Sequence, residues 1–183
     1  PYRLLRNPRL YELKSKVLSA GRPSVREYLL SLPGVAGAGA VLDVGCGTGR
    51  HASLFSGACY GVDRNPQYIA FARAHYPGLF CVMDAARLAF PDGLFDAVFA
   101  IGLCHHLRDE RVRLVLNEMK RVVRNDGLVV VADGVLPPKS NLPGHLLFRW
   151  DRGGYVRTLD DLAALMRSEE FELAAANIPG SFP

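Results

Sequence analysis

The sequence lacks a long hydrophobic run, a paired-cysteine motif and a concentrated basic tract. No apolar stretch reaches the roughly 20 residues that a membrane-spanning helix needs, and the amino-terminal PYRLLRNPRL has no signal-peptide apolar region. The four cysteines have no CxxC spacing, which favours buried free thiols over disulfides or a zinc site. The basic residues behind the net charge of +4 are spread along the chain, so a nucleic-acid partner is not expected. These absences predict a cytoplasmic protein with no membrane span and no metal.

What the chain does contain is apolar sequence in alternating strand and helix patterns. Hydrophobic residues make up 49% of the 183 positions, enough for one domain with a substantial core. Strands are predicted at 40–45, 59–63, 79–84, 95–102, 127–135 and 171–178, and helices over 8–31, 50–56, 66–76, 109–123 and 158–170. This alternation predicts an α/β fold, a Rossmann-like, doubly wound and mostly parallel sheet with helices on both faces.

The first predicted strand runs into a glycine-rich turn, VLDVGCGTGR, at residues 41–50. In an open α/β sheet such a turn lies at the carboxyl ends of the strands, where ligands bind. The glycines read G-x-G-x-G, with Arg50 in the place of the third glycine of a dinucleotide fingerprint, and no Walker G-K-[ST] follows. A dinucleotide-dependent oxidoreductase is therefore disfavoured. Asp43, inside the strand, is poorly placed for a phosphate and better placed for a ligand that carries an ammonium group.

Two further strands also end in acids. Asp63 ends the second strand, 20 residues after Asp43, where a carboxylate can accept hydrogen bonds from both hydroxyls of a ribose. Asp84 and Ala85 end the third strand, where a carboxylate and the next backbone N–H can bind the edge of an adenine. Each acid alone could equally cap the loop or helix that follows it. Acids at the ends of three successive strands together indicate a nucleoside with a cationic or zwitterionic tail, a description that S-adenosylmethionine fits.

Four sequence blocks extend this pattern across residues 40–135: VLDVGCGTGR, GVDRNPQYIAFA, MDAARLAFPDGLFDAVFAIGLCHHL and EMKRVVRNDGLVVVAD. In content and order they resemble the class I S-adenosylmethionine-dependent methyltransferases, most closely the small-molecule branch of the ubiquinone and menaquinone biosynthesis type. The resemblance implies a methyltransferase that uses S-adenosylmethionine and releases S-adenosylhomocysteine. Ala86 departs from the pattern, since the family often has an acid two residues after the position of Asp84.

The resemblance also implies roles for individual residues. The Gly45–Gly49 turn would meet the methionine part of the cofactor with Asp43 behind it, and Asp63 would hold the ribose. Arg64 and Tyr68 would flank the adenine, and Asp84 would take its edge. The full cofactor-binding set that it implies is Asp43, Gly45, Cys46, Gly47, Gly49, Asp63, Arg64, Tyr68, Asp84, Ala85, and Ile101 with Gly102 on the floor of the site.

Methyl transfer from a sulfonium is an in-line displacement, in which the protein aligns the reactants and supplies a base when the acceptor is protonated. His105 and His106 directly follow the fourth strand and are the candidates for that base. The alternative is that the pair caps the next helix or packs the loop. No [DNS]-P-P-[YF] motif and no Pro-Cys pair occurs, which argues against methylation of a nucleobase. The expected acceptor is an apolar or aromatic small molecule.

The remaining segments are interpreted by their position around this core. Residues 1–39 are predicted to form N-terminal helices and a linker, 40–135 the cofactor-binding core, and 136–183 an acceptor-side loop, a helix and the last strand of a single domain. The chain ends at NIPGSFP, before the seventh strand of the family's sheet, so that strand is expected to be missing. Either the chain is shortened or a homodimer covers the exposed edge. This keeps open a second hypothesis, a non-catalytic methyltransferase-like module. Side chains expected around the acceptor are His145, Phe148, Trp150, Arg152 and Tyr155.

Overall fold

The computed structural model describes residues 7–9, 25–32, 34–35, 37–136 and 154–171. Several predictions fall outside these ranges. They concern most of the N-terminal helical stretch 8–31, the sixth strand at 171–178, and the acceptor-side residues His145, Phe148, Trp150 and Arg152. The missing seventh strand, the homodimer and the division of the chain into segments likewise stay predictions.

The sheet has five parallel strands in the described residues: β1 Ala40–Val44, β2 Ala58–Asp63, β3 Leu79–Val82, β4 Phe95–Ile101 and β5 Val123–Ala132. Their order is β3-β2-β1-β4-β5. Strands β2 and β3 therefore lie on one side of β1 and strands β4 and β5 on the other, and the strand order reverses between β1 and β4. The crevice outside the carboxyl ends of the strands at such a switch point is where open α/β sheets bind ligands. The predicted Rossmann-like, doubly wound sheet is confirmed.

Helices flank this sheet: α1 Val25–Ser31, α2 Pro66–His75, α3 Asp109–Val122 and α4 Leu159–Ser168. The local sequence explains where α2 begins, because the Asn65 side chain accepts a hydrogen bond from the Gln67 N–H at 3.0 Å and Pro66 takes the first helical position. Helix α3 packs on the sheet through apolar residues at helical spacing: Val112, Val115, Leu116, Met119 and Val122.

The core lies on both faces of the sheet, since side chains alternate along each buried strand. On one face Leu42 and Val98 pack against α3 and α4. On the other face Val41 packs with Leu29 of α1. Asp43 alternates with Leu42 and therefore points to the face of Val41, where its carboxylate is the polar exception in an apolar strand.

The segment after the glycine turn differs from the prediction. The helix expected over 50–56 is only a 3-10 turn, Ala52–Leu54. Successive i→i+3 bonds, from the Gly49 N–H to the Cys46 carbonyl and from the Ala52 N–H to the Gly49 carbonyl, keep the chain in tight turns until Phe55 becomes extended. The segment is therefore too tightly wound to form an α-helix.

The bounds of β3 and β5 also differ. β3 ends at Val82, before Asp84, and β5 begins at Val123 rather than 127 and ends at Ala132 rather than 135. The predicted helix stop at residues 125–127 lies inside β5. Its pairing with β4 passes from Phe95–Val123 directly to Ala97–Leu128, so the residues between bulge out of the ladder.

Candidate cofactor and active site

The glycine turn is fixed against the end of β2. The N–H groups of Gly45 and Cys46 donate to the Val62 carbonyl at 2.8 and 2.9 Å. Gly49 has φ +80°, and a Cβ there would lie 2.8 Å from the Ala72 side chain of α2. Gly45 has φ +76°, and a Cβ there would lie 2.9 Å from the Leu103 side chain. The turn therefore needs glycine for its left-handed conformation and for its close approach to α2.

Asp63 connects the end of β2 to this turn. Its Oδ2 accepts a hydrogen bond from the Gly47 N–H at 3.0 Å, and its Oδ1 accepts one from the Asn65 N–H at 2.7 Å. Burial raises the pKa of the Asp63 carboxyl, against the opposite effect of these two donors, and the charge of Asp43 adds to the rise. A carboxylate has about four acceptor positions, so Asp63 keeps two for a ligand.

Asp43 is buried beside the same turn, with 3% of its surface exposed. Its Oδ2 has no hydrogen-bond partner among the described residues and lies 3.5 Å from His51 Nδ1. A buried acceptor atom without a donor is costly, and a ligand that donates to it removes that cost. The ammonium group of S-adenosylmethionine has the required chemistry.

Two buried thiols lie near the carboxylates of the turn. Burial raises the pKa of the Cys46 thiol, and the charges of Asp43 and Asp63 raise it further. Burial, followed by the charge of Asp43, raises the pKa of Cys59 to about 12. Burial is the main cause of both shifts, and the smaller contribution from Asp43 and Asp63 shows that these carboxylates bring negative charge to the turn, which favours a cation and disfavours a phosphate. The residues present therefore fit a sulfonium cofactor with an ammonium group.

A small cavity opens from the turn toward β3 and α3. It has a volume of about 50 Å³, well below the roughly 300–1,000 Å³ of typical ligand pockets, so a nucleoside bound here would extend beyond it. It brings together five of the predicted cofactor residues, Gly45, Asp63, Arg64, Asp84 and Ala85. Its other lining residues are Val62, Met83, Leu103, Leu107, Arg111 and Val115.

The remaining predicted cofactor residues lie around this cavity rather than in its lining. Asp43, Cys46, Gly47 and Gly49 belong to the turn and to the strand behind it. Tyr68 is buried on α2. Ile101 ends β4, and the Gly102 N–H donates to the Ala132 carbonyl at 2.7 Å, so this pair lies next to the end of β5.

Asp84 is held by an arginine that the sequence reasoning missed. Arg111 Nη2 donates to both of its carboxylate oxygens, at 2.7 and 2.8 Å, and the Ala86 N–H donates to Oδ1 at 3.0 Å. These contacts, with the hydrogen bond from Arg111 as the main cause, lower the pKa of Asp84. The charge patterning of α3 alone does not reveal this contact, because the two partners are 27 positions apart.

His105 belongs to a 3-10 turn, Cys104–His106, directly after β4. Its ring Nδ1 pairs with Asp133 Oδ1, and its backbone N–H donates to Asp133 Oδ2 at 3.1 Å. Asp133 follows β5, so two strand ends build this contact. A Cβ on Gly102 would lie 3.6 Å from His105 Cε1, which places the imidazole beside the predicted floor of the site. The His106 side chain is exposed, with its ring 4.1 Å from that of His105.

Asp133 was also missed by the sequence reasoning. The predicted strand ran to residue 135 and placed Asp133 inside it, whereas β5 ends at Ala132, so Asp133 is an acid directly after a strand. It pairs with a histidine 28 positions earlier.

Residues 154–158 form hydrogen bonds to the backbone of the 3-10 turn that contains His105. Arg157, which is 10% exposed, donates to the carbonyls of Cys104 and Leu107 at 2.9 and 2.8 Å and pairs with Asp109. The Tyr155 N–H donates to the His105 carbonyl at 3.0 Å. Tyr155, predicted on the acceptor side, is thus the described member of that set and lies against the histidine turn.

A second cavity, of about 440 Å³, lies between α3, α4 and Leu136 and shares no lining residue with the first. Among the residues that the structure describes, no helix is long and apolar enough to cross a membrane, and no cluster of His, Cys, Asp or Glu could hold a metal ion.

Comparison with known proteins shows which proteins this chain is similar to. A family model described as "Methyltransferase domain" matches residues 42–131. A 2-methyl-6-phytyl-1,4-hydroquinone methyltransferase from Synechocystis is 37% identical over 51% of this chain and 31% of the relative. The ubiquinone/menaquinone biosynthesis C-methyltransferase UbiE of Desulfotalea psychrophila is 31% identical over 72% of this chain and 56% of the relative. A solved S-adenosylmethionine-dependent methyltransferase from Archaeoglobus fulgidus superposes with a TM-score of 0.68 at 22% identity, covering 88% of this chain and 74% of that one.

The fold and the carboxylates around the glycine turn define a Rossmann-like domain whose residues fit a cationic nucleoside. The matched core and these relatives show that this chain is similar to the S-adenosylmethionine-dependent methyltransferases, whose cofactor is S-adenosylmethionine. The chain spans 31% and 56% of the length of the two curated relatives described above.

Proposed function

We propose that the protein transfers the methyl group of S-adenosylmethionine to a small-molecule acceptor. The observation that carries this proposal is the group of carboxylates around the glycine turn, above all the buried Asp43 oxygen that has no hydrogen-bond partner among the described residues. Asp43 and Asp63 repel each other. A ligand with a sulfonium and an ammonium group relieves that repulsion, whereas the two phosphates of a dinucleotide add to it.

Each part of the cofactor then has a partner. Asp63 would accept hydrogen bonds from the ribose hydroxyls at its two open acceptor positions, and Asp84 and Ala85 would bind the adenine edge, with Arg64 on the cavity wall beside them. The Gly45–Gly49 turn, with Cys46 inside it, receives the amino-acid end. Tyr68, Ile101 and Gly102 are assigned to the cofactor by the family resemblance.

Bound S-adenosylmethionine supplies an electrophilic methyl group, and S-adenosylhomocysteine leaves. The acceptor's proton is handled by the chain, and we assign that task to His105 rather than to the exposed His106. Asp133 pairs with Nδ1 of His105 and fixes the orientation of the ring, so Nε2 is the nitrogen that takes up the proton. A positioned base of this kind contributes about 10²–10⁴-fold to a rate.

The proposed acceptor is a small phenolic or quinol-type molecule. The Synechocystis relative is named for a substituted hydroquinone, and the Desulfotalea relative for ubiquinone and menaquinone biosynthesis. Loss of a phenolic proton to His105 activates either the oxygen or a ring carbon of such an acceptor. No observation in the described residues favours the alternative, a non-catalytic module. Cytoplasmic location and pairing with a second copy remain predictions for fractionation and light scattering.

Calorimetric titration with S-adenosylmethionine, and separately with NADH, tests the proposal. We expect saturable binding of S-adenosylmethionine and none of NADH. Asp63→Ala removes two acceptor positions for the ribose, so binding should weaken by at least about tenfold, since hydrogen bonds to a charged group are worth about 1.5–3 kcal/mol.

Asp126→Ala is the matched control, because Asp126 is 81% exposed and its ion pair in the described part of the chain is with Arg124 at the surface. Equal affinities for the two variants, or binding of NADH alone, would contradict the proposed site. A panel of an alkyl hydroquinone, a catechol and a tRNA then separates the acceptor classes. Binding without turnover across the panel would favour the non-catalytic alternative.

A further inference from the structure

The Asp84–Arg111 pair joins two walls of the cofactor cavity. Asp84 follows β3, whereas Arg111 lies in the first turn of α3, and both side chains line the cavity. The contact is two-pronged, with Nη2 at 2.7 and 2.8 Å from the carboxylate oxygens. The side chains are 52% and 45% exposed, so an ordinary surface ion pair is the alternative. Such a pair contributes little to stability, which leaves its place in the cavity as its distinctive property.

We propose that Arg111 is a positioning residue that holds Asp84 for recognition of the 6-amino group of the cofactor's adenine. The inference rests on the proposed function. Asp84 Oδ1 accepts from the Ala86 N–H and from Arg111, whereas Oδ2 accepts only from Arg111. A carboxylate oxygen has two acceptor positions, so Oδ2 keeps one for an exocyclic N–H.

The arginine performs this task through orientation and through charge. An exposed carboxylate on a loop rotates easily, and a guanidinium anchored on a helix limits that rotation. The Asp84 carboxyl is ionised at neutral pH and therefore able only to accept, and the same contact lowers its pKa further. An acceptor suits the 6-amino group of adenine and rejects the 6-oxo group of hypoxanthine, whose oxygen is itself an acceptor. Arg111 thereby contributes to the choice of base without contacting it.

Calorimetric binding of S-adenosylhomocysteine and of its 6-oxo analogue, S-inosylhomocysteine, tests this role. Arg111→Met should weaken the binding of S-adenosylhomocysteine by about tenfold, which corresponds to the loss of about 1.4 kcal/mol from one charge-assisted hydrogen bond. The 6-oxo analogue makes no such bond, so its affinity should hardly change and the preference for the 6-amino ligand should narrow. Arg111→Lys, which keeps the charge but not the planar fork, should restore part of the affinity.

Two controls separate positioning from other roles. In an Asp84→Ala background, Arg111→Met should have no further effect, because the arginine acts through that carboxylate. Arg113→Met removes a neighbouring arginine of α3 with the same 45% exposure, which pairs with Glu169 away from the small cavity. Arg113→Met should leave the affinities for both ligands unchanged. Urea unfolding of all variants checks that the variants have similar stability.

Each outcome decides the inference. An equal loss in the Asp84→Ala background would mean that Arg111 contacts the cofactor itself, and tighter binding by Arg111→Met would mean that it competes with adenine for Asp84. An unchanged affinity of Arg111→Met for S-adenosylhomocysteine, or an equal loss of affinity in Arg113→Met, would also overturn the inference. The proposed function would stand in both cases, because the wild-type protein still binds S-adenosylhomocysteine. Failure of the wild-type protein to bind S-adenosylhomocysteine would instead overturn the proposed function, and this inference with it.

Discussion

Gly49 offers a direct test of how the glycine turn is built. A Cβ at this position would lie 2.8 Å from Ala72 Cβ and 2.9 Å from a ring carbon of Phe80, and the residue has φ +80°. Both neighbours are buried core side chains with little room to move. The left-handed conformation costs about 1–2 kcal/mol for a residue with a Cβ, and overpacking of a close-packed core costs about 1–3 kcal/mol more. Gly49→Ala should therefore lower the free energy of unfolding by about 2–5 kcal/mol.

The matched control is Gly93→Ala. Gly93 has a similar φ of +67°, but a Cβ there meets nothing closer than 3.9 Å. Gly93→Ala therefore has only the conformational cost and should lower the free energy of unfolding by about 1–2 kcal/mol. Urea unfolding followed by circular dichroism, with the slopes compared to confirm two-state behaviour, measures both variants. Equal losses of stability in the two variants would refute the claim that Gly49 is required by close packing against α2.

Two further predictions concern the proposed base, His105, and the loss of stability at acid pH. His105→Ala should lower turnover of a phenolic acceptor by about 10²–10⁴-fold while S-adenosylhomocysteine affinity changes less than about twofold; a parallel loss of cofactor binding would show that the histidine turn merely supports the site. Asp96 accepts hydrogen bonds from the Ala40 and Gly39 N–H groups, and these, the former most strongly, lower its pKa. Its ionised form is favoured in the fold, so that stability is present above about pH 4 and is lost as the pH falls through the folded pKa. Asp96→Asn should flatten the decline of unfolding free energy between about pH 5 and pH 3, and an unchanged slope would contradict this.

The fold followed from local sequence because its determinants are local. Continuous apolar runs specify buried parallel strands, and the acid that ends β2 and the acid that follows β3 meet at one edge because parallel strands end together. The predicted Gly45, Asp63, Arg64, Asp84 and Ala85 therefore line one cavity. The errors in element bounds have a physical cause as well, since the bulge that starts β5 early depends on pairing with Phe95 of β4.

What the sequence could not supply were contacts between distant residues. Arg111 reads as one of several surface charges on α3 until the fold sets it against Asp84. Asp133 lies inside the predicted strand 127–135, and only the observed end of β5 at Ala132 brings it to the same edge as His105, its partner after β4. Arg157 shows no signal at all, because it acts on backbone carbonyls of residues 50 or more positions earlier.

A crystal structure of the protein with S-adenosylhomocysteine would show directly whether the glycine turn between Asp43 and Asp63 holds the cofactor. We expect the ribose on Asp63, the adenine amine on Asp84, and the ammonium group on the side of the turn next to Asp43. A cofactor bound instead in the cavity between α3 and α4, or bound without contact to the turn, would contradict the proposed site.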